Sequence, residues 1–425
     1  MLPPEGWAWD RRGYSNGEGG TTWHREPIAS SAYSQLLRIP LVRQPLLGSV
    51  LGRLPIASLG LAIVLMIRHA TGSFATAGLV SAGFAIATAA ALPVQGRLID
   101  RLGQTRVLLP TCIAHPLALV CLVGAAQSDA SSGVLIALGA LAGGTAPAIP
   151  SSMRTLWRSI VPSSHMLLSA YSIDAVLFEV AFIAGPLLTG LLVAVASPAA
   201  AVLMNAGFAA VGGLIYALSP AVRRWRNRAT PEHWSGALRA PGIAVLIVSE
   251  LTFGLAVGAI EISVTAFATG EGSPGLAGVL IAVQAAASMA GGLIYGARER
   301  TADATKRYPL LLFLITLGFV PLLFMSSIAN AVPLMALSGF GLAPASAVIY
   351  LLVEKLSPPG SVTEASTWMI TAVVCGIAGG NAIAGQIVEG GHAQRGFAVT
   401  VLAGLCGTVV VLFGRDSLRT EPAPA

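Results

Sequence analysis

Residues 73–126 read, in turn, SFATAGLVSAGFAIATAAALPVQ, GRLIDRLGQTR and VLLPTCIAHPLALVCLVGAA. Two unbroken apolar runs, 73–95 and 107–126, flank a short loop that holds three arginines and an aspartate. Each run has about the twenty residues a helix needs to cross ~30 Å of hydrocarbon. Their continuous apolarity excludes the period-two strands of a membrane barrel. Working outward, the pattern recurs at 46–67, 132–152, 167–195, 199–218, 242–268, 276–297, 308–328, 331–352, 365–388 and 397–414. Twelve spans predict an all-α polytopic membrane protein.

Composition agrees. The chain has 425 residues, of which 55% are apolar and 10% charged, and its mean hydropathy is +0.76. Soluble chains carry about 25% charged residues, so this sequence cannot cover a water-facing surface. The 48 glycines and 26 prolines would damage soluble helices but suit membrane helices, where small residues let backbones approach.

Charge placement tests the count of spans. If residues 1–45 are cytoplasmic and each span changes side, Lys and Arg should gather in the tails and alternate loops. The expected cytoplasmic segments hold 22 of the 25 Lys and Arg. The expected outer loops hold Arg68 and Arg395, and Arg53 lies inside the first span. The net charge of +6 then needs no nucleic-acid partner, because basic loops face anionic lipid headgroups. The first apolar run carries Arg53 and is too long for the core of a cleavable signal peptide. Cys112, Cys121, Cys375 and Cys406 fall within spans at spacings that fit no metal or redox motif, and no cofactor is called for.

The chain repeats itself once. Gly96-Arg97-Leu98-Ile99-Asp100 matches Gly291-Gly292-Leu293-Ile294-Tyr295 at an offset of 291 − 96 = 195. Gly185-Pro186-Leu187-Leu188-Thr189-Gly190 matches Gly380-Asn381-Ala382-Ile383-Ala384-Gly385 at 380 − 185 = 195. Ala146-Pro147-Ala148 matches Ala343-Pro344-Ala345 at 343 − 146 = 197. Shared offsets on corresponding spans predict two parallel six-helix halves, 46–218 and 242–414. A basic linker at 219–241 joins them, with cytoplasmic tails at 1–45 and 415–425. Two such halves suit transport by alternating access about a site near the midplane.

At this point the residues meet a known pattern. GRLIDRLGQTR, Gly96 to Arg106, resembles the signature loop between helices 2 and 3 of the major facilitator superfamily, matching at Gly96, Leu98, Asp100, Arg101 and Gly103. Gln104 and Thr105 stand where that family usually has two basic residues, and Arg106 follows. Read physically, Gly96 and Gly103 permit a tight turn with positive φ, while Arg97, Arg101 and Arg106 can meet carboxylates or headgroups. The resemblance implies that Asp100 latches the halves against the start of helix 11, where Ser361 to Glu364 reads as a capping box. Gly185, Pro186 and Gly190 resemble the glycine-proline motif in helix 5 of the family's antiporter branch, with Thr189 in place of a glycine. Pro186 frees a carbonyl, and the glycines allow close packing against the other half.

Ionisable side chains inside spans are functional candidates, because leaving them unpaired costs several kcal/mol. They are Arg53, Asp174, Glu179, Glu250 and Glu261. Arg53, roughly 10 Å into its span at 1.5 Å per residue, is expected to face Glu250 or a substrate anion. Glu250 and Glu261 are eleven residues apart and share a face of helix 7, so two carboxylates at different depths can alternately hold a proton. His115 is expected to pack as a hydrogen-bonded core residue. Tyr171, Gln284, Trp368, Asn381 and Gln386 are candidates for the cavity wall.

The sequence thus points to a monomeric secondary transporter of the bacterial inner (plasma) membrane that exports a small organic molecule against protons. Its Ala- and Gly-rich, Lys-poor composition suggests a high-GC bacterium. Uptake by symport is the alternative within transport. A polytopic membrane enzyme lacks support, since no metal-spaced cluster, nucleophile elbow or phosphate-cradling loop occurs. A non-transporting receptor on the same frame is a further alternative.

Overall fold

The computed structural model describes residues 39–161, 164–225, 240–296, 304–358, 362–389 and 393–418. Among them, twelve helices are long and apolar enough to cross a bilayer. They are α1 Pro40–Thr71, α2 Phe74–Leu102, α3 Gln104–Gln127, α4 Ser132–Ile160, α5 Ser164–Val195, α6 Pro198–Ala217, α7 Pro241–Gly270, α8 Leu276–Gly296, α9 Ala304–Phe324, α10 Ile328–Leu356, α11 Val362–Val388 and α12 Ala393–Phe413. No strand occurs among the described residues. The fold is the expected all-α one, with α1–α6 and α7–α12 as its halves.

Several helices outrun their apolar spans, because end signals rather than hydropathy set their limits. Proline tolerates the first helical turn, and α1 starts on Pro40. Gly72 closes α1 at φ 72°, donating its N–H to the Arg68 carbonyl at 2.9 Å. The Ser73 hydroxyl then caps α2 by accepting from the Thr76 amide at 3.1 Å. Helices α4 and α10 are each broken once. The first segment of α4 ends at Gly144 and the second resumes at Ile149, while α10 breaks between Gly339 and Leu342. Prolines 147 and 344 stand at equivalent places in the repeat, and each lacks an N–H for a continuous helical ladder.

The buried cores reveal how the halves sit together. At the end away from the linker, one continuous core joins both halves, with Leu65, Phe74 and Leu122 from the first and Phe267, Leu280 and Phe397 from the second. At the linker end the cores are separate. One gathers Leu108, Met153, Trp157 and Tyr216, the other Leu246, Tyr308 and Leu352. The halves therefore meet at the distal end and diverge toward the linker, leaving a cleft open at the linker end. On the outside, bulky apolar groups such as Leu293 and Phe413 are exposed, as a lipid-facing surface requires.

Candidate functional site

Two seams close the distal end, and both rest on glycine. In the α5/α8 seam, a Cβ on Gly190 would strike the Gly275 carbonyl, and one on Gly278 would strike the Pro186 carbonyl. In the α2/α11 seam, a Cβ on Gly385 would lie 2.7 Å from the Phe74 carbonyl and 3.2 Å from the Gly78 Cα. Gly190 and Gly385 end the two copies of the repeated motif. Backbones this close exclude any side chain between them, so small residues set the approach.

The α2/α11 seam also carries polar chemistry. The Asn381 amide on α11 donates to the Ser81 hydroxyl on α2 at 2.8 Å, across the halves. Glu261 of α7 hydrogen-bonds Asn381, and its carboxylate lies over Gly60 of α1, 2.6 Å from where a Cβ would stand. At the distal rim the Glu389 carboxylate accepts the Ala75 amide N–H at 2.5 Å. That amide belongs to the first turn of α2, whose N–H groups have no partner within the helix, so an anion is favoured there.

Nearer the linker end, the first half holds a buried ion cluster. Arg53 donates from Nε to the Ser49 hydroxyl at 3.1 Å and from Nη1 to the Asp174 carbonyl at 2.9 Å. Its Nη2 pairs with the Asp174 carboxylate. Both side chains are almost fully buried. Arg154 of α4 reaches the other Asp174 oxygen through Nε at 3.4 Å, with its own side chain 56% exposed. The expected meeting of Arg53 with Glu250 is therefore corrected. Asp174 lies within the same half, on α5, and takes the guanidinium before the cleft is reached. Breaking such a buried pair on one side costs about 3–5 kcal/mol, through the uncompensated charge left behind.

Glu250 sits in the opposite wall. It accepts the Tyr308 hydroxyl, which in turn is 2.8 Å from the Ser249 hydroxyl. Glu250 and Glu261, on one face of α7, thus meet different surroundings at their two depths: α9 near the linker end, and α1 with α11 near the distal end. Tyr350 of α10 is exposed and within electrostatic reach of both Arg154 and Glu250. Glu179 lies on α5, but its side chain and that of Tyr171 fall outside the described residues. His115 donates from Nδ1 to the Ala142 carbonyl at 2.8 Å, and Gln284 donates to the Ser338 hydroxyl at 2.9 Å. Among the described residues, no three His, Cys, Asp or Glu side chains are grouped so as to hold a metal.

The loop after α2 is shorter than its sequence suggests. Gly96 lies inside α2, which runs on to Leu102, so the expectation of a turn at Gly96 is corrected. The turn is Gly103 alone, at φ 89°. Arg97, Asp100, Arg101 and Arg106 are exposed around it at the linker end. Gln104 and Thr105, the departures from the family pattern, anchor the loop. Gln104 donates to the Ser152 carbonyl and the Thr155 hydroxyl, both at 3.0 Å, and accepts the Tyr216 hydroxyl at 3.1 Å. Thr105 donates to the Ala217 carbonyl at 3.0 Å. Ser361 lies outside the described residues, as does the Glu364 side chain.

Pattern reading set Arg154 aside as too close to the end of helix 4, and passed over Tyr308, Tyr350 and Glu389. Arg154 and Glu389 stand at span ends, where charge is ordinary, and the two tyrosines gain their meaning only from neighbours distant in sequence.

Two six-helix halves enclosing a cleft, with ionisable groups in its walls and at its closed end, define a polytopic membrane transporter. The sequence profile of the Major Facilitator Superfamily matches residues 46–371, and the chain belongs to that family. It is a transporter and not an enzyme. Its fold is similar to that of the nucleoside transporter NupG, in a point-mutant form, at 12% identity and a TM-score of 0.70, covering 89% of this chain and 100% of that one. A bacterial homologue of the iron transporter ferroportin in an inward-facing state matches at 17% identity and a TM-score of 0.70, covering 88% and 98%. A bacterial homologue of the human lysosomal transporter Spinster, inward-facing and occupied, matches at 14% identity and 0.67, covering 90% and 98%. No curated protein sequence matches the chain.

Proposed function

We propose that the protein exports a small organic molecule across a bacterial plasma membrane in exchange for protons, as a monomer with both termini and the linker cytoplasmic. The observation that carries this reading is the position of Glu261, at the seam that opens and closes. In this arrangement the cleft faces the cytoplasm and the distal seam is shut over the Glu261 carboxyl, against Gly60 and Asn381.

A neutral carboxyl is far easier to bury than a carboxylate. Proton uptake from outside thus favours the arrangement with the distal seam closed and the cleft open to the cytoplasm. Once the proton leaves through the cleft, the charged carboxylate favours a parted seam, and bound substrate is carried outward. This sequence yields antiport, and the helix 5 motif at Gly185, Pro186 and Gly190 agrees with it. Asp100, at the cytoplasmic end of α2, is then the counterpart that holds the inner side closed, against the start of α11.

The test is purified protein in proteoliposomes with an imposed pH gradient and a pH-sensitive dye inside, screened with candidate solutes. Solute-dependent proton flux that disappears in Glu261→Gln is expected. Solute movement without proton flux, or a Glu261→Gln variant coupled like the native protein, removes the reading.

A further inference from the structure

Two arginines share one carboxylate in the wall of the first half. Arg53 is spent, with three of its guanidinium nitrogens hydrogen-bonded and its side chain buried. Arg154 is not. Its single bond to Asp174 is long at 3.4 Å, and its Nη1 and Nη2 make no hydrogen bond to any described residue. Two cations against one anion leave a surplus of 2 − 1 = 1 positive charge, carried by Arg154.

The direction of that charge follows from its helix. The second segment of α4, Ile149–Ile160, buries Ile149, Met153, Leu156 and Trp157 and leaves Arg154 on the opposite, exposed face. Across the gap between the halves, Tyr350, exposed on α10, lies within its electrostatic reach. Arg154 therefore looks into the cleft. Glu250, on α7 of the same half as Tyr350, is also within electrostatic reach of that hydroxyl.

We propose that Arg154 and the Tyr350 hydroxyl form an anion subsite, so that the transported molecule carries a carboxylate or similar small anionic group at one end. Its other end, toward Glu250, bears a hydrogen-bond donor. Guanidinium donors and a phenol match carboxylate oxygens in geometry and sign. This inference rests on the reading of the cleft as the substrate route, but binding needs no gradient and so tests it separately.

The experiment is ligand-dependent thermal stabilisation of the purified protein at fixed ionic strength. The probes are 4-hydroxybenzoate and its neutral counterpart 4-hydroxybenzamide, with 4-hydroxybenzylamine as the cationic counterpart. Saturable stabilisation by the carboxylate alone is expected. Arg154→Gln should weaken it about tenfold or more, as loss of a charge-assisted hydrogen bond does. Arg154→Lys should restore part of it, Tyr350→Phe should weaken it severalfold, and Arg158→Gln should leave it unchanged. Equal stabilisation by the amide or the amine, no stabilisation by the carboxylate, or full binding in Arg154→Gln overturns the proposal. If a neutral or cationic solute proves to drive proton flux in proteoliposomes, the subsite is refuted while the exporter reading stands.

Discussion

The α5/α8 and α2/α11 seams are built from the same repeated unit, yet among the described side chains only the α2/α11 seam brings charged groups into its contacts. Gly190 and Gly385, 385 − 190 = 195 residues apart, each bring a backbone against the opposite half. Around Gly190 the contact is backbone on backbone. Around Gly385 it is joined by Ser81, Asn381, Glu261 and the Glu389 bond to α2. Duplication supplied two equal hinges, and in the proposed cycle the ionisable groups make one of them a lock that responds to protons. A pair of charged seams would have to release together, whereas a single one lets one carboxyl govern closure while the other seam only rolls.

This difference can be broken most severely at the bare seam. A Gly190→Leu variant should fail to close distally and lose transport almost entirely, since a leucine cannot fit against the Gly275 carbonyl. Labelling of a distal cysteine should show the outer end held open. Next in size, Glu261→Gln should keep a closed distal seam while losing the pH dependence of closure. The sign follows from the proposed cycle, in which burial makes acid favour the closed seam, so the neutral glutamine should reproduce the acid form at every pH. An exchange assay without a gradient separates lost coupling from lost movement. Removing the rim contact in Glu389→Ala should shift the balance toward an open distal end by roughly threefold to tenfold, the usual range for a helix N-terminal cap. Ser81→Ala should weaken closure least, about twofold for one neutral hydrogen bond of ~0.5 kcal/mol. If the two polar substitutions matter as much as Gly190→Leu, the division between hinge and lock fails.

Much of this architecture was legible in the sequence. Apolar runs of membrane length, the one-sided arginines and the 195-residue offset lead directly to twelve helices in two halves, because lipid imposes those patterns on any chain that crosses it. Helix ends were less legible. Gly96 reads as a turn residue, but α2 runs through it to Gly103, since the apolar span stops where lipid stops and the helix does not. The pairing of Arg53 also escaped prediction. Asp174 and Glu250 are both acids within spans, and only packing decides which one the guanidinium reaches. Arg154 was set aside and Glu389 not singled out, because one meaningful charge at a span end looks like any other. Gln104 and Thr105 read as losses from a basic cluster, and their hydrogen bonds to α4 and α6 show them as anchors of the loop.

The central claim is that the two ends of the cleft open in alternation under the control of Glu261. In a background lacking the four native cysteines, spin labels at Leu102→Cys and Lys355→Cys report the linker end, and labels at Thr71→Cys and Thr269→Cys report the distal end. Distances measured in membranes at about pH 5 and about pH 8 should change in opposite senses, with the distal pair closer in acid. Both shifts should vanish in Glu261→Gln. Distances that move together, or a pH response that survives in Glu261→Gln, would contradict the account.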